Sequence, residues 1–200
     1  MRKTMRIIPL ASLVLAFAAA AQQGGWLIES SNVVSASQPT TTVEVWAWFD
    51  DPTGERNAFG RGDFDFIAAD GEFSNPQMYL WTSPGFSAGT PTGNSVRGVF
   101  VGQLWGFVGL FANMQNPVLV WSVDWTTADF TPRTVSLDTR NTTTFQIGTN
   151  STQIGMNLLE LYPQGFTPGT GVIQVVPSPA IATPLLVLGA VMLRRRRRAV

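Results

Sequence analysis

Seven carboxylates crowd one short stretch of this chain: Asp50, Asp51, Glu55, Asp63, Asp65, Asp70 and Glu72. Two chemistries use such a set. A pair of carboxyls facing across a cleft serves glycoside hydrolysis as acid and nucleophile, and six to eight oxygens converging from loops hold calcium. Asp50, Asp51, Asp63 and Asp65 are the candidate calcium ligands, and calcium is the one cofactor they would take, although the Asp-x-Asp spacing lacks the glycine and closing glutamate of an EF-hand loop. Ordinary strand alternation offers a plainer reading, in which these side chains form a solvated face. Gly85-Phe86-Ser87-Ala88-Gly89 spells a nucleophile elbow, which needs a strand-to-helix turn and a histidine base. The chain has no histidine and no cysteine. A Ser-His-Asp triad, a thiol nucleophile, a Cys/His zinc site and a disulfide are all excluded, and no catalytic residue is assigned. Arg61-Gly62-Asp63 spells an adhesion tripeptide, a string short enough to recur by chance.

The tryptophans are the other chemistry-bearing set. Seven occur, and Trp46 and Trp48 share an alternation phase with Glu44, opposite Val43, Val45, Ala47 and Phe49. If that phase faces outward, two indoles stand ready to stack on sugar rings; if the strand is covered on both sides, they are core. These two are the candidate ligand-binding residues.

Strands must position all of these. Trp26 to Glu29, Thr41 to Phe49 and Ala58 to Ala69 alternate, the last with Phe64 and Phe66 on one face and Asp63 and Asp65 on the other. Ser74 to Gly93, with three prolines and three glycines, reads as a long irregular loop. Strand signals resume at Val96 to Leu104, Phe107 to Phe111 and Val118 to Trp125, where Leu119, Trp121, Val123 and Trp125 fall in one phase. Thr131 to Leu137, Thr142 to Ile147, Met156 to Leu161 and Gly171 to Val176 bring the total to nine or ten short strands. Such spacing, with Gly, Pro and Asn between strands, predicts an all-β fold: a single antiparallel β-sandwich of jelly-roll or immunoglobulin-like type over 22–175.

Both ends read as address labels. Arg2, Lys3 and Arg6, then an apolar run from Ile7 to Phe17, then small residues with Ala19 and Ala21 before the cut, predict a signal peptide over 1–21, helical in its apolar part. At the other end Val176-Pro177-Ser178-Pro179-Ala180 leads into an apolar helix over 180–193 and then Arg194, Arg195, Arg196, Arg197 and Arg198. Prolines keep the first part out of any element interior, the apolar run enters lipid, and the arginines stop transfer on the cytoplasmic side. Fourteen residues is short against the roughly 20 that a bilayer core asks for. With the labels set aside, five basic residues remain against 13 acidic ones, a charge of −8, and no lysine is among them. That balance argues against nucleic acid and against anionic membrane surfaces as partners.

The three-part tail over 176–200 resembles the PEP-CTERM sorting signal of bacterial surface proteins. Val176-Pro177-Ser178-Pro179-Ala180 matches the family's Val-Pro-Glu-Pro-Ala, with Ser178 where glutamate is usual. The resemblance implies delivery by the Sec export machinery, transient anchoring in the inner membrane through the short transmembrane helix, and processing by an exosortase-type enzyme near Pro177 to Ala180. A plain membrane anchor is the alternative. The body resembles, more loosely, the cohesin-like and immunoglobulin-like sandwiches of surface proteins, through Thr41 to Phe49, Ala58-Phe59-Gly60 and Val101-Gly102-Gln103-Leu104. Together these imply a non-enzymatic cell-surface or extracellular-matrix protein with a structural or adhesive domain. The alternatives are a module binding extracellular polysaccharide or other surface proteins and, further off, a glycosidase.

Overall fold

The structure is a computed structural model, described here over residues 21–31, 33–80, 85–103, 113–149 and 158–177. Ala19, Ser178, Pro179, Ala180, Arg194 to Arg198, the two terminal helices and the Phe107 to Phe111 strand lie outside the described residues. Among the described residues no helix is long and apolar enough to cross a membrane.

Two sheets pack face to face around one apolar core. The front sheet has the order β12 (Phe166–Thr167), β1 (Gln23–Ser30), β3 (Thr40–Asp50), β8 (Val118–Thr126), β5 (Glu72–Met78). The back sheet runs β11 (Leu158–Glu160), β10 (Phe145–Gly148), β4 (Ala58–Ala68), β9 (Arg133–Arg140), β13 (Thr170–Val175), β2 (Val33–Val34). β7 (Ser95–Gly102) also pairs with β4, and β6 (Ser87–Thr92) pairs with β7. The all-β, two-sheet architecture is as expected. Its pairing is antiparallel except at two short contacts, β1 with β12 and β2 with β13, which are parallel.

Alternation decides which side chains enter the core. In β3, Val43, Val45, Ala47 and Phe49 are buried and face Phe64 and Phe66 of β4 across the interior, while the intervening residues point to solvent. Each fully buried valine or phenylalanine stabilises the fold by roughly 1.5–3 kcal/mol. Trp26 anchors one end of the core, with ring centroids 4.8 Å from Phe145, 4.9 Å from Phe64 and 5.7 Å from Phe59. Its indole N–H donates to Thr142 Oγ1, and those of Trp121 and Trp125 donate to the carbonyls of Ala88 and Asp70. Buried indoles need such acceptors.

Two stretches depart from the sequence reading. The supposed loop from Ser74 to Gly93 contains most of β5 and all of β6, both at sheet margins. Pro76 sits beside Asn75 (φ 52°) where the β5 register slips against β8, and Pro91 lies in the outermost strand, so neither proline interrupts a ladder that needs its N–H. In β8 a bulge between the partners of Val45 and Trp46 shifts the phase. Trp121, Val123 and Trp125 stay in the core as read, but Leu119 is turned to the outer face beside Trp46.

Candidate functional site

The carboxylates singled out by sequence scatter, and most are spent on the protein's own donors. Asp51 accepts from Thr53 N and Oγ1, Arg56 N and Gln22 Nε2 at 2.7–3.3 Å, tying the turn after β3 together. Burial pushes its carboxyl up, but these bonds outweigh burial and hold it below the ordinary value. Asp63 accepts from Thr143 N, Thr144 N and Thr143 Oγ1, and Asp65 from Gly98 N and Asn141 Nδ2. Asp70 pairs with Arg133 at 2.7 Å. Among the described residues no three acidic groups are placed to hold a metal ion, so Asp50, Asp51, Asp63 and Asp65 do not form one calcium-binding set. Nor do Asp63 and Asp65 face each other across a cleft; each staples β4 to a neighbouring segment.

The two motif strings have structural explanations. Arg61-Gly62-Asp63 lies within β4, where a Cβ on Gly62 would stand 2.7 Å from the Trp26 ring. Glycine is needed there for the core. Ser87 of the elbow string begins β6, and its Oγ accepts from Gly89 N at 3.0 Å, with no helix following.

Trp46 and Trp48 meet the geometric requirement of a platform. Both are half-buried on the outer face of the front sheet. Along β3 that face reads Thr42, Glu44, Trp46, Trp48, Asp50, two rings between two carboxylates. At about 3.3 Å per residue, successive side chains stand roughly 7 Å apart and the Glu44–Asp50 row spans about 20 Å. Leu27 of β1 and Leu119 of β8 lie opposite Trp46 on either side, and Leu27 is 40% exposed. Trp46 Nε1–H donates to Glu44 Oε2 at 3.2 Å, which fixes that indole against the strand. The Trp48 indole N–H makes no hydrogen bond among the described residues, and no described aromatic ring stacks on either indole.

Hydroxyls and acids border the rings. Glu29 lies opposite Glu44, and a shallow hollow there is lined by Glu29, Ser30, Ser31, Thr42 and Glu44. Beyond it, Thr42 Oγ1 donates to Asp124 at 2.9 Å, and the exposed Tyr79 shares a hydrogen bond with Ser122 at 3.0 Å. Leu27, Glu29, Leu119 and Asp124 escaped the sequence reading, because they join the site only through strand pairing. The back sheet's outer face is different. Its polar residues pair among themselves: Arg61 with Gln146, Arg140 with Asp138, Thr134 with Gln174.

The class of protein defined by this geometry is a two-sheet β-sandwich with a tryptophan pair on the outer face of its front sheet. No protein-family model matches the chain, and no curated protein matches it. Among solved structures, the seventh ScaB type I cohesin from Pseudobacteroides cellulosolvens is similar, at 10% identity and a TM-score of 0.48, over 78% of this chain and 94% of that one.

Proposed function

We propose that this is an exported, non-enzymatic surface module that adheres to extracellular polysaccharide through the outer face of its front sheet. One observation carries the reading: Trp46 and Trp48 stand side by side on a sheet face that no described element covers, and the Trp48 indole N–H has no hydrogen-bond partner among the described residues. Flat indoles take the apolar faces of sugar rings, and an open face accepts the middle of a chain. Export rests on the sequence over 1–21, and sorting on the tail over 176–200, with Sec and an exosortase-type enzyme as the handling machinery. Val176 N donates to Val34 O at 2.9 Å, so the described fold runs to the edge of that tail.

The test is sedimentation with insoluble polysaccharides, run for the unaltered protein, Trp46→Ala and Trp48→Ala, with an unfolding curve for each. Lost binding at an unchanged unfolding midpoint supports the reading. Binding undiminished in both variants contradicts it.

A further inference from the structure

Granted that binding role, on which the following rests, we propose that the polysaccharide is cationic, a chain of amino sugars with free amines, and not a neutral or uronic-acid polymer. The five strands of the front sheet carry five acidic residues, Glu29, Glu44, Asp50, Glu72 and Asp124, and no basic one. The back-sheet strands carry four of each sign, Arg61, Arg97, Arg133 and Arg140 against Asp63, Asp65, Asp138 and Glu160. The acidity of the body is therefore concentrated on the platform side.

That charge is not neutralised from within. Among the described residues every ion pair is made by Arg56, Arg133 or Arg140, with Asp51, Glu55, Asp70, Asp129 and Asp138. None reaches a front-sheet carboxylate. Glu29 and Glu44 stand directly opposite each other in the β1–β3 ladder, a like-charge pairing that weakens a sheet. Glu29 has no hydrogen bond or ion pair among the described residues. The facing Glu29–Glu44 pair works against folding, whereas a cationic ligand would be held by both carboxylates.

The aromatic row selects the kind of cation. An ammonium within about 6 Å of an indole face is attracted by the ring quadrupole as well as by nearby carboxylates. A sugar ring stacked on Trp46 or Trp48 would present its amine between Glu44 and Asp50. A basic protein is less suited. The apolar part of the face is four side chains, Leu27, Trp46, Trp48 and Leu119, small against the roughly 800 Å² per partner of a stable protein interface. Uronic acids would meet five carboxylates that have no ion-pair partner among the described residues.

Titration calorimetry with four probes tests this: a glucosamine hexamer, its N-acetylated counterpart, an oligogalacturonate and poly-L-lysine, at low and high salt. The glucosamine hexamer is expected to bind at least tenfold tighter than the N-acetylated one at low salt, with the gap closing as salt screens the charges. Glu29→Gln and Glu44→Gln are expected to narrow the same gap, the second while keeping an acceptor for the Trp46 N–H. Equal affinity for both hexamers overturns the cationic preference and leaves the platform standing. Binding of poly-L-lysine alone overturns it in favour of a basic protein. If nothing binds and the polysaccharide sedimentation is also blank, the platform itself falls.

Discussion

At the scale of single residues, chemically similar side chains divide by what surrounds them. Trp121 and Trp125 are fully buried with their N–H groups satisfied, whereas Trp46 and Trp48 are held at the surface. Trp121→Ala or Trp125→Ala is expected to cost about 3–5 kcal/mol of stability, measured by urea unfolding. Trp46→Ala should cost roughly 1 kcal/mol or less, the size of a few cross-strand contacts, while removing ligand binding. The carboxylates divide likewise. Asp51 has its carboxyl held below the usual range by hydrogen bonds, so its contribution is fully present above the unfolded value near 3.8 and disappears as pH falls through the lower folded value. Asp51→Asn should flatten that acid limb of the stability curve and cost about 1–3 kcal/mol at neutral pH, since Asn cannot accept at both oxygens. An acid unfolding limb unchanged by the substitution would remove Asp51 as its source. The sequence showed that Trp46 and Trp48 shared a phase; it did not show which phase was covered.

At the scale of elements, strands with clean alternation were legible and strands with local irregularities were not. Thr40–Asp50 and Ala58–Ala68 kept the period of two that their residues displayed. In Val118–Thr126 every alternate residue from Leu119 was apolar, but Val118 and Val120 were apolar too, so either phase fitted and the bulge left no mark. Pro76 and Pro91 hid two marginal strands, because a proline excludes a central strand and tolerates an edge. The facing Glu29–Glu44 pair belongs to this scale, since only pairing creates it. Glu29→Lys turns repulsion into attraction across the ladder, and is expected to raise stability by about 0.2–1 kcal/mol while weakening cationic-ligand binding. A destabilised Glu29→Lys variant would contradict the register assigned to β1 and β3.

At the scale of the whole molecule, the decisive property is the division of charge between two sheets. Composition revealed the −8 of the body. It did not reveal that the front-sheet strands hold five acids and no base, because assigning strands to sheets requires the topology. The proposed address labels are the opposite case, read from residue order alone and lying almost wholly outside the described residues. Intact mass of the mature protein from its own host is expected to lack Met1 to Ala21 and everything beyond about Pro179. A mass that retains Arg194 to Arg198 would make the tail a plain anchor.

The indole N–H resonances of the 15N-labelled domain report most directly on the platform. Titrated with glucosamine oligomer, the Trp46 and Trp48 signals should shift together and saturate, while those of Trp26, Trp121 and Trp125, closed in the core by their own acceptors, stay in place. Saturable binding that leaves Trp46 and Trp48 unmoved would place the ligand elsewhere and contradict the account.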